Sequence, residues 1–227
     1  MNSVQSVLDR YAGGTPYERL TRQFLEFDRW SGDDPLLLVA ETAVATTGQR
    51  SAGGRNADVS EFRDAFVATG RVDSFETLAG LESEDAGLSE VFAAARTRRV
   101  LLEVASVLSA RPEADDLAAL RGWAGEADQY RYDEDPIGSI SGIGPSSFQY
   151  LRQLAGMDVA APDATVSRFV DTVDTELESA TLETTSPLLT IASCEWLAIV
   201  SAYSPIEIDR IAWWTFADED ERQVALS

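Results

Sequence analysis

The stretch DPIGSISGIGPSSFQYLRQLAGMDVAAPDATVSRF, residues 135–169, constrains this chain more than any other. Gly142 and Gly144 flank a single aliphatic residue, so the backbone there can turn through conformations that a Cβ would penalise, with Ile143 plugging the turn from inside. Ile137 and Ile140, at helical spacing before the turn, predict a short helix. Pro145 suits the first position of a second helix, and it leaves the amides of Ser146 and Ser147 at a helix N-terminus without intrahelical partners. Such an end suits a phosphate. A loop then leads to Asp163, which is placed to open a third helix through Val166, Phe169, Val170, Val173 and Leu177.

No stretch sustains the alternation of a strand, and there is no internal repeat, so the expected fold class is all-α. Leu20, Phe24, Phe27 and Trp30 predict an amphipathic helix over 16–30. Asp33 or Asp34 caps the next helix, with Pro35 in its first turn and its end at Gly48. Residues 49–57, carrying Arg50 and Arg55, read as a polar glycine-rich loop. Ser60 is expected to cap a helix with Phe62 and Phe66 inward, and a short helix is expected over 74–81. The longest periodic segment, 88–108, reads as one helix carrying Arg96, Arg98 and Arg99, a basic cluster suited to phosphate or to an internal acidic partner. A helix over 113–123, an acidic and tyrosine-bearing excursion over 126–135, and helices over 187–203 and 205–216 complete the chain.

Composition narrows the chemistry. The 39 acids face 18 bases, every one an arginine, and there is neither lysine nor histidine. A net charge of -21 repels nucleic acid in dilute buffer, but the acids are scattered along the chain as in proteins adapted to concentrated salt. There the screening length falls to about 3 Å at 1 M, which damps self-repulsion. The reading is therefore a halophilic, cytoplasmic protein without a signal peptide or a membrane span. With Cys194 alone and no histidine, an internal disulfide, a zinc site of Cys and His and a four-thiolate iron–sulfur cluster are excluded. Ser-His-Asp catalysis and a lysine Schiff base are excluded too. Carboxylates, hydroxyls, arginine, tyrosine, backbone amides or a bound ion remain.

The run Ile140-Ser141-Gly142-Ile143-Gly144-Pro145-Ser146-Ser147, followed after a helix and a loop by Pro162-Asp163-Ala164-Thr165-Val166-Ser167-Arg168-Phe169, resembles the helix-hairpin-helix and catalytic-aspartate segment of the HhH-GPD superfamily of base-excision DNA glycosylases. Asp163, Val166 and Arg168 match that pattern, and Asp209-Arg210 with Trp213-Trp214 extend it. The resemblance implies a two-lobed helical fold with one helix-hairpin-helix: residues 32–158 in one lobe, residues 1–31 and 159–227 in the other. It implies a monofunctional enzyme, because Ser146 stands where lyase-active members carry lysine. It also implies double-stranded DNA as partner, held by Gly142, Ile143, Gly144, Ser146, Ser147 and Arg168. No cofactor is expected beyond a K+ or Na+ ion cradled by the carbonyls of Ile140, Ser141 and Ile143.

The chemistry fits these residues. Breaking an N-glycosidic bond builds positive charge on the sugar, which a carboxylate such as Asp163 can stabilise, or the carboxylate can activate a water. A flipped base needs flat walls, for which Trp213, Trp214, Trp196, Tyr150 and Tyr203 are candidates; each also suits a core. Asp163 equally suits a plain helix cap. The alternative function is a catalytically inactive protein that binds DNA or a protein partner through the hairpin.

Overall fold

The computed structural model describes residues 3–47, 52–177 and 181–226, and its regular structure there is helical, with no strand among the described residues. After α1 (Val4–Ala12) and α2 (Tyr17–Leu25) comes α3 (Pro35–Ala45). Asp34 caps α3 by accepting the Leu36 amide at 3.0 Å, and Pro35 occupies the first turn, where no N–H is needed. The helix over 16–30 is shorter than expected. α2 stops at Leu25, and Phe27 takes a left-handed φ of 56°, which turns the chain back toward Gly156.

Residues 52–57 are not a loop. They open α4 (Ala52–Phe62), so Ser60 lies inside a helix instead of capping one, while Gly48 and Arg50 lie outside the described residues. α4 runs into a wide turn over Arg63–Val67, closed by Ala68 N donating to Arg63 O at 2.8 Å. It buries Phe62 and Phe66. α5 (Phe75–Ala79) starts in a reciprocal cap between Ser74 and Thr77.

The segment 88–108 is two helices, α6 (Ala86–Val91) and α7 (Ala95–Ser109), broken by extended backbone at Phe92. Arg98 explains the break. Its guanidinium reaches back to the carbonyls of Phe92 and Ala93, acceptors that a continuous helix would have paired internally, and to that of Ser83 ahead of α6. After α8 (Asp116–Glu126), a 3-10 turn over Gln129–Glu134 fills the acidic excursion. The helix expected before the hairpin is a single turn, in which Asp135 Oδ1 accepts the amides of Ile137 and Gly138. There follow α9 (Pro145–Leu154), α10 (Ala164–Leu177), α11 (Pro187–Ile199), α12 (Pro205–Phe216) and α13 (Glu219–Leu226). No described helix is long and apolar enough to cross a membrane.

Two apolar clusters result. The larger is built from α3, α4, α5, α7, α8 and α9 with the hairpin isoleucines 137, 140 and 143. The smaller joins α1, α10, α11 and α12. Phe24 of α2 and Ile206 of α12 reach into the larger cluster, so these helices pack together at the seam.

Three glycines in the hairpin region do different things. Gly142 has a φ of 115°, and a Cβ on it would sit 2.8 Å from Arg96 Nε. Gly144 is extended, with nothing within 4 Å of a built Cβ, so only one of the two hairpin glycines is conformationally required. At Gly138 a Cβ would meet the Tyr132 carbonyl oxygen at 1.7 Å. Thermal unfolding of the alanine variants should therefore rank them. Gly144→Ala should change stability by less than about 0.5 kcal/mol, and Gly142→Ala should cost roughly 1–2 kcal/mol. Gly138→Ala should cost the most.

Candidate active site

Where the two clusters meet, a cavity of about 870 Å³ opens, lined by α2, α3, α9, the loop before α10, and α12. Its organisation begins on α9. Ser146, Gln149 and Gln153 are three and four residues apart and so share one helix face. Ser146 Oγ donates to Pro162 O at 2.7 Å, Gln149 Nε2 to Ala160 O at 3.3 Å and Gln153 Nε2 to Val159 O at 2.8 Å. This polar face holds segment 159–162 alongside the helix and delivers Asp163 to the cavity wall.

Asp163 Oδ1 accepts the amides of Thr165 and Val166, each at 2.8 Å, and so caps α10. Asp163 is an exposed residue, open to solvent on the cavity wall. Its pKa is raised, first by loss of hydration and then by the charge of Asp209; the two amides and Arg210 pull in the opposite direction. Ser146 and Ser147, at the uncapped N-terminus of α9, line the same cavity. Tyr150, Trp213 and Phe216 supply flat side chains to it.

A second charged group lies within the wall. Glu41, 2% exposed on the otherwise apolar α3, pairs with Arg29 and accepts the Tyr150 hydroxyl. Burial opposes the charge on Arg29, but Glu41 and Tyr150 outweigh it and hold the guanidinium protonated. Arg29 and Arg210 also lie over the Phe24 ring, at 4.5 and 4.6 Å from its centroid. Sequence reasoning missed Arg29, Glu41, Phe24 and Gln153 as cavity residues. A lone glutamate inside the apolar run LLLVAETAVA was the available signal, because a buried carboxylate demands a partner.

Arg168 does not line the cavity; its guanidinium lies over the ring of Phe216, which does, 4.1 Å from the centroid. Gly142, Ile143 and Gly144 are not cavity residues, and the carbonyls of Ile140, Ser141 and Gly142 are engaged. Arg99 Nη2 donates to Ser141 O at 2.8 Å, Arg96 Nη2 to Gly142 O at 2.8 Å, and the Ile143 amide to Ile140 O at 2.9 Å. The basic cluster on α7 therefore meets backbone carbonyls, and Arg99 also has the acidic partner considered for the cluster, Glu103 one turn along α7 at 4.0 Å. Trp196 lies by a small separate hollow with Leu189, and Tyr203 donates to Asp9 at 2.8 Å within the smaller cluster. Trp214 packs on Trp213 beneath Arg222.

The acidic excursion does not cover Asp163. It is tied to α11, where Gln129 Nε2 and the Tyr130 hydroxyl both donate to Glu195 at 2.7 Å. Instead α13 borders the cavity through Glu221, Val224 and Ala225, held by Arg19 donating to Leu226 O and Gln23 to Ala225 O, each at 2.7 Å. Among the described residues no group of three His, Cys, Asp or Glu side chains could hold a metal ion.

The raised pKa of Asp163 has a measurable consequence. The folded protein binds this proton more readily than the unfolded chain, so stability falls as pH rises from the ordinary carboxylate pKa through the raised one. Asp163→Asn keeps a capping oxygen and removes the charge; it should melt higher than wild type at pH 7 and flatten the pH dependence. Asp163→Ala loses the cap and should fall about 1 kcal/mol below the Asn variant.

No protein-family model matches the chain, no curated protein matches its sequence, and no solved structure matches its fold.

Proposed function

We propose that this protein is a monofunctional DNA glycosylase of the helix-hairpin-helix kind, hydrolysing the N-glycosidic bond of a damaged or mismatched base in double-stranded DNA. The observation that carries the reading is Asp163 on the wall of a cavity of about 870 Å³, alongside the N-terminus of α9 and the aromatic side chains of Tyr150 and Trp213. That volume falls within the roughly 300–1,000 Å³ of small-ligand sites. The two apolar clusters support a division into a lobe of residues 32–158 and a lobe formed by 1–31 with 159–227.

The chemistry needs no lysine. Water adds through its oxygen to the anomeric carbon, the C–N bond breaks, and the base leaves with the electron pair and takes up a proton. The ionised Asp163 stabilises the positive sugar or accepts the proton of the water. In concentrated salt the release of counterions contributes little to DNA affinity, so hydrogen bonds from the Ser146 and Ser147 amides and burial of the flipped base carry more of it. A K+ or Na+ ion at the hairpin would compete with Arg99 for Ser141 O.

A binding-only role is the second reading, favoured by the two amide hydrogen bonds that account for Asp163 as a cap. Lesion-bearing duplexes incubated with the protein in high potassium chloride and then treated with alkali separate the two. Strand breaks are expected, with an acid limb in the pH profile above the ordinary carboxylate range, because Asp163 must be ionised. Asp163→Asn should reduce them at least about 100-fold. If a broad lesion panel stays intact while a gel shift in molar salt shows binding that Gly144→Asp abolishes, the enzyme reading fails and the binding reading stands.

A further inference from the structure

Asp209 is the other carboxylate of the site, and its surroundings differ from those of Asp163. It sits on α12, 2% exposed, with its partners set by three different segments. Oδ2 accepts the Gln153 side-chain amide at 2.9 Å and the Ala161 backbone amide at 2.8 Å, while Oδ1 pairs with Arg210. Gln153 is fully buried and gives its other hydrogen to Val159 O. The segment that delivers Asp163 is therefore held from two sides: α9 takes the carbonyls of residues 159, 160 and 162, and Asp209 takes the amide of residue 161.

We propose that Asp209 is a positioning residue for Asp163, fixing the loop that presents it through Ala161 and Gln153 and placing a second negative charge behind it. The catalytic part of the proposal rests on the glycosylase reading; the positional part does not. Asp209 touches no reacting atom; it acts through the path of residues 159–162. The electrostatics agree, because Asp209 raises the Asp163 pKa after burial, while Arg210 lowers it. Other charged groups on the same cavity are Arg19 of α2, Asp28 and Arg29 after it, Glu41 of α3 and Glu221 of α13. Cys194 of α11, buried and held as the thiol, feels both Asp209 and Asp163.

Two variants of the full chain separate geometry from charge. Asp209→Asn keeps an acceptor for the Ala161 amide and removes the charge; Asp209→Ala removes both. Carbon-detected NMR titration of the Asp163 carboxyl should show a lower pKa in Asp209→Asn and a higher one in Arg210→Gln, which serves if an Asp209 variant does not fold. Hydrogen exchange at the Ala161 amide should accelerate in Asp209→Ala and stay near wild type in Asp209→Asn. In base excision, Asp209→Ala should lose kcat about 100-fold with KM nearly unchanged, the loss expected from a small misplacement, and Asp209→Asn should recover most of it. An Asp163 titration unmoved in both Asp209→Asn and Arg210→Gln, or Ala161 exchange unchanged in Asp209→Ala, would overturn the proposal. Shifts of the expected sign in a protein that excises no base support the positioning role and overturn the glycosylase reading alone.

Discussion

A carboxylate withdrawn from water persists only where donors replace its hydration, and Asp209 meets that requirement with groups drawn from α9, the loop before α10, and α12 itself. Because each donor comes from a different segment, satisfying this one side chain fixes how those segments lie together. The seam between the two apolar clusters, the route of residues 159–162 and the cavity wall follow from that local demand for hydrogen bonds. Hydrophobic burial within each cluster supplies cohesion, but it does not by itself specify where the clusters meet.

Glu41 performs a comparable role on the opposite wall. An acid in the middle of α3 would normally oppose burial of so apolar a helix, and its pairing with Arg29 and Tyr150 turns that cost into a link between the α2–α3 connection, α3 and α9. The planar guanidinium also does what an ammonium could do less well. Arg96, Arg98, Arg99, Arg152 and Arg222 direct their forks at backbone carbonyls, closing chain breaks and turns with directional bonds. A chain whose basic residues are all arginine thereby staples its irregular backbone internally.

What could be read in advance depended on range. Asp34 with Pro35, Ser74 before α5, and Pro145 after Gly144 are signals contained within one turn of helix, and all three elements start where those residues indicate. The break between α6 and α7 was not legible, because it depends on the Arg98 side chain folding back on Ser83 and Phe92. Residues 52–57 carry two glycines and look like a loop, yet α4 packs against α3 and keeps them helical. At the site, Asp163, Ser146, Ser147, Tyr150 and Trp213 were within reach because a short motif or an aromatic type marked them. Gln153, Glu41 and Arg29 were not, since their significance lies in contacts between residues distant along the chain.

The way α9 grips the segment ahead of Asp163 has a consequence for how such a chain can vary. The three contacts from α9 end on main-chain carbonyls and the one from Asp209 of α12 on a main-chain amide, groups that every residue type carries except for the missing amide of proline. The identities of residues 159–162 are thus only weakly constrained by these bonds, whereas their number is fixed by the spacing of Ser146, Gln149 and Gln153. Insertion or deletion of a single residue would put each bond out of register and carry the aspartate off the wall. Among divergent copies of this protein, the segment should drift freely in composition while its length stays constant.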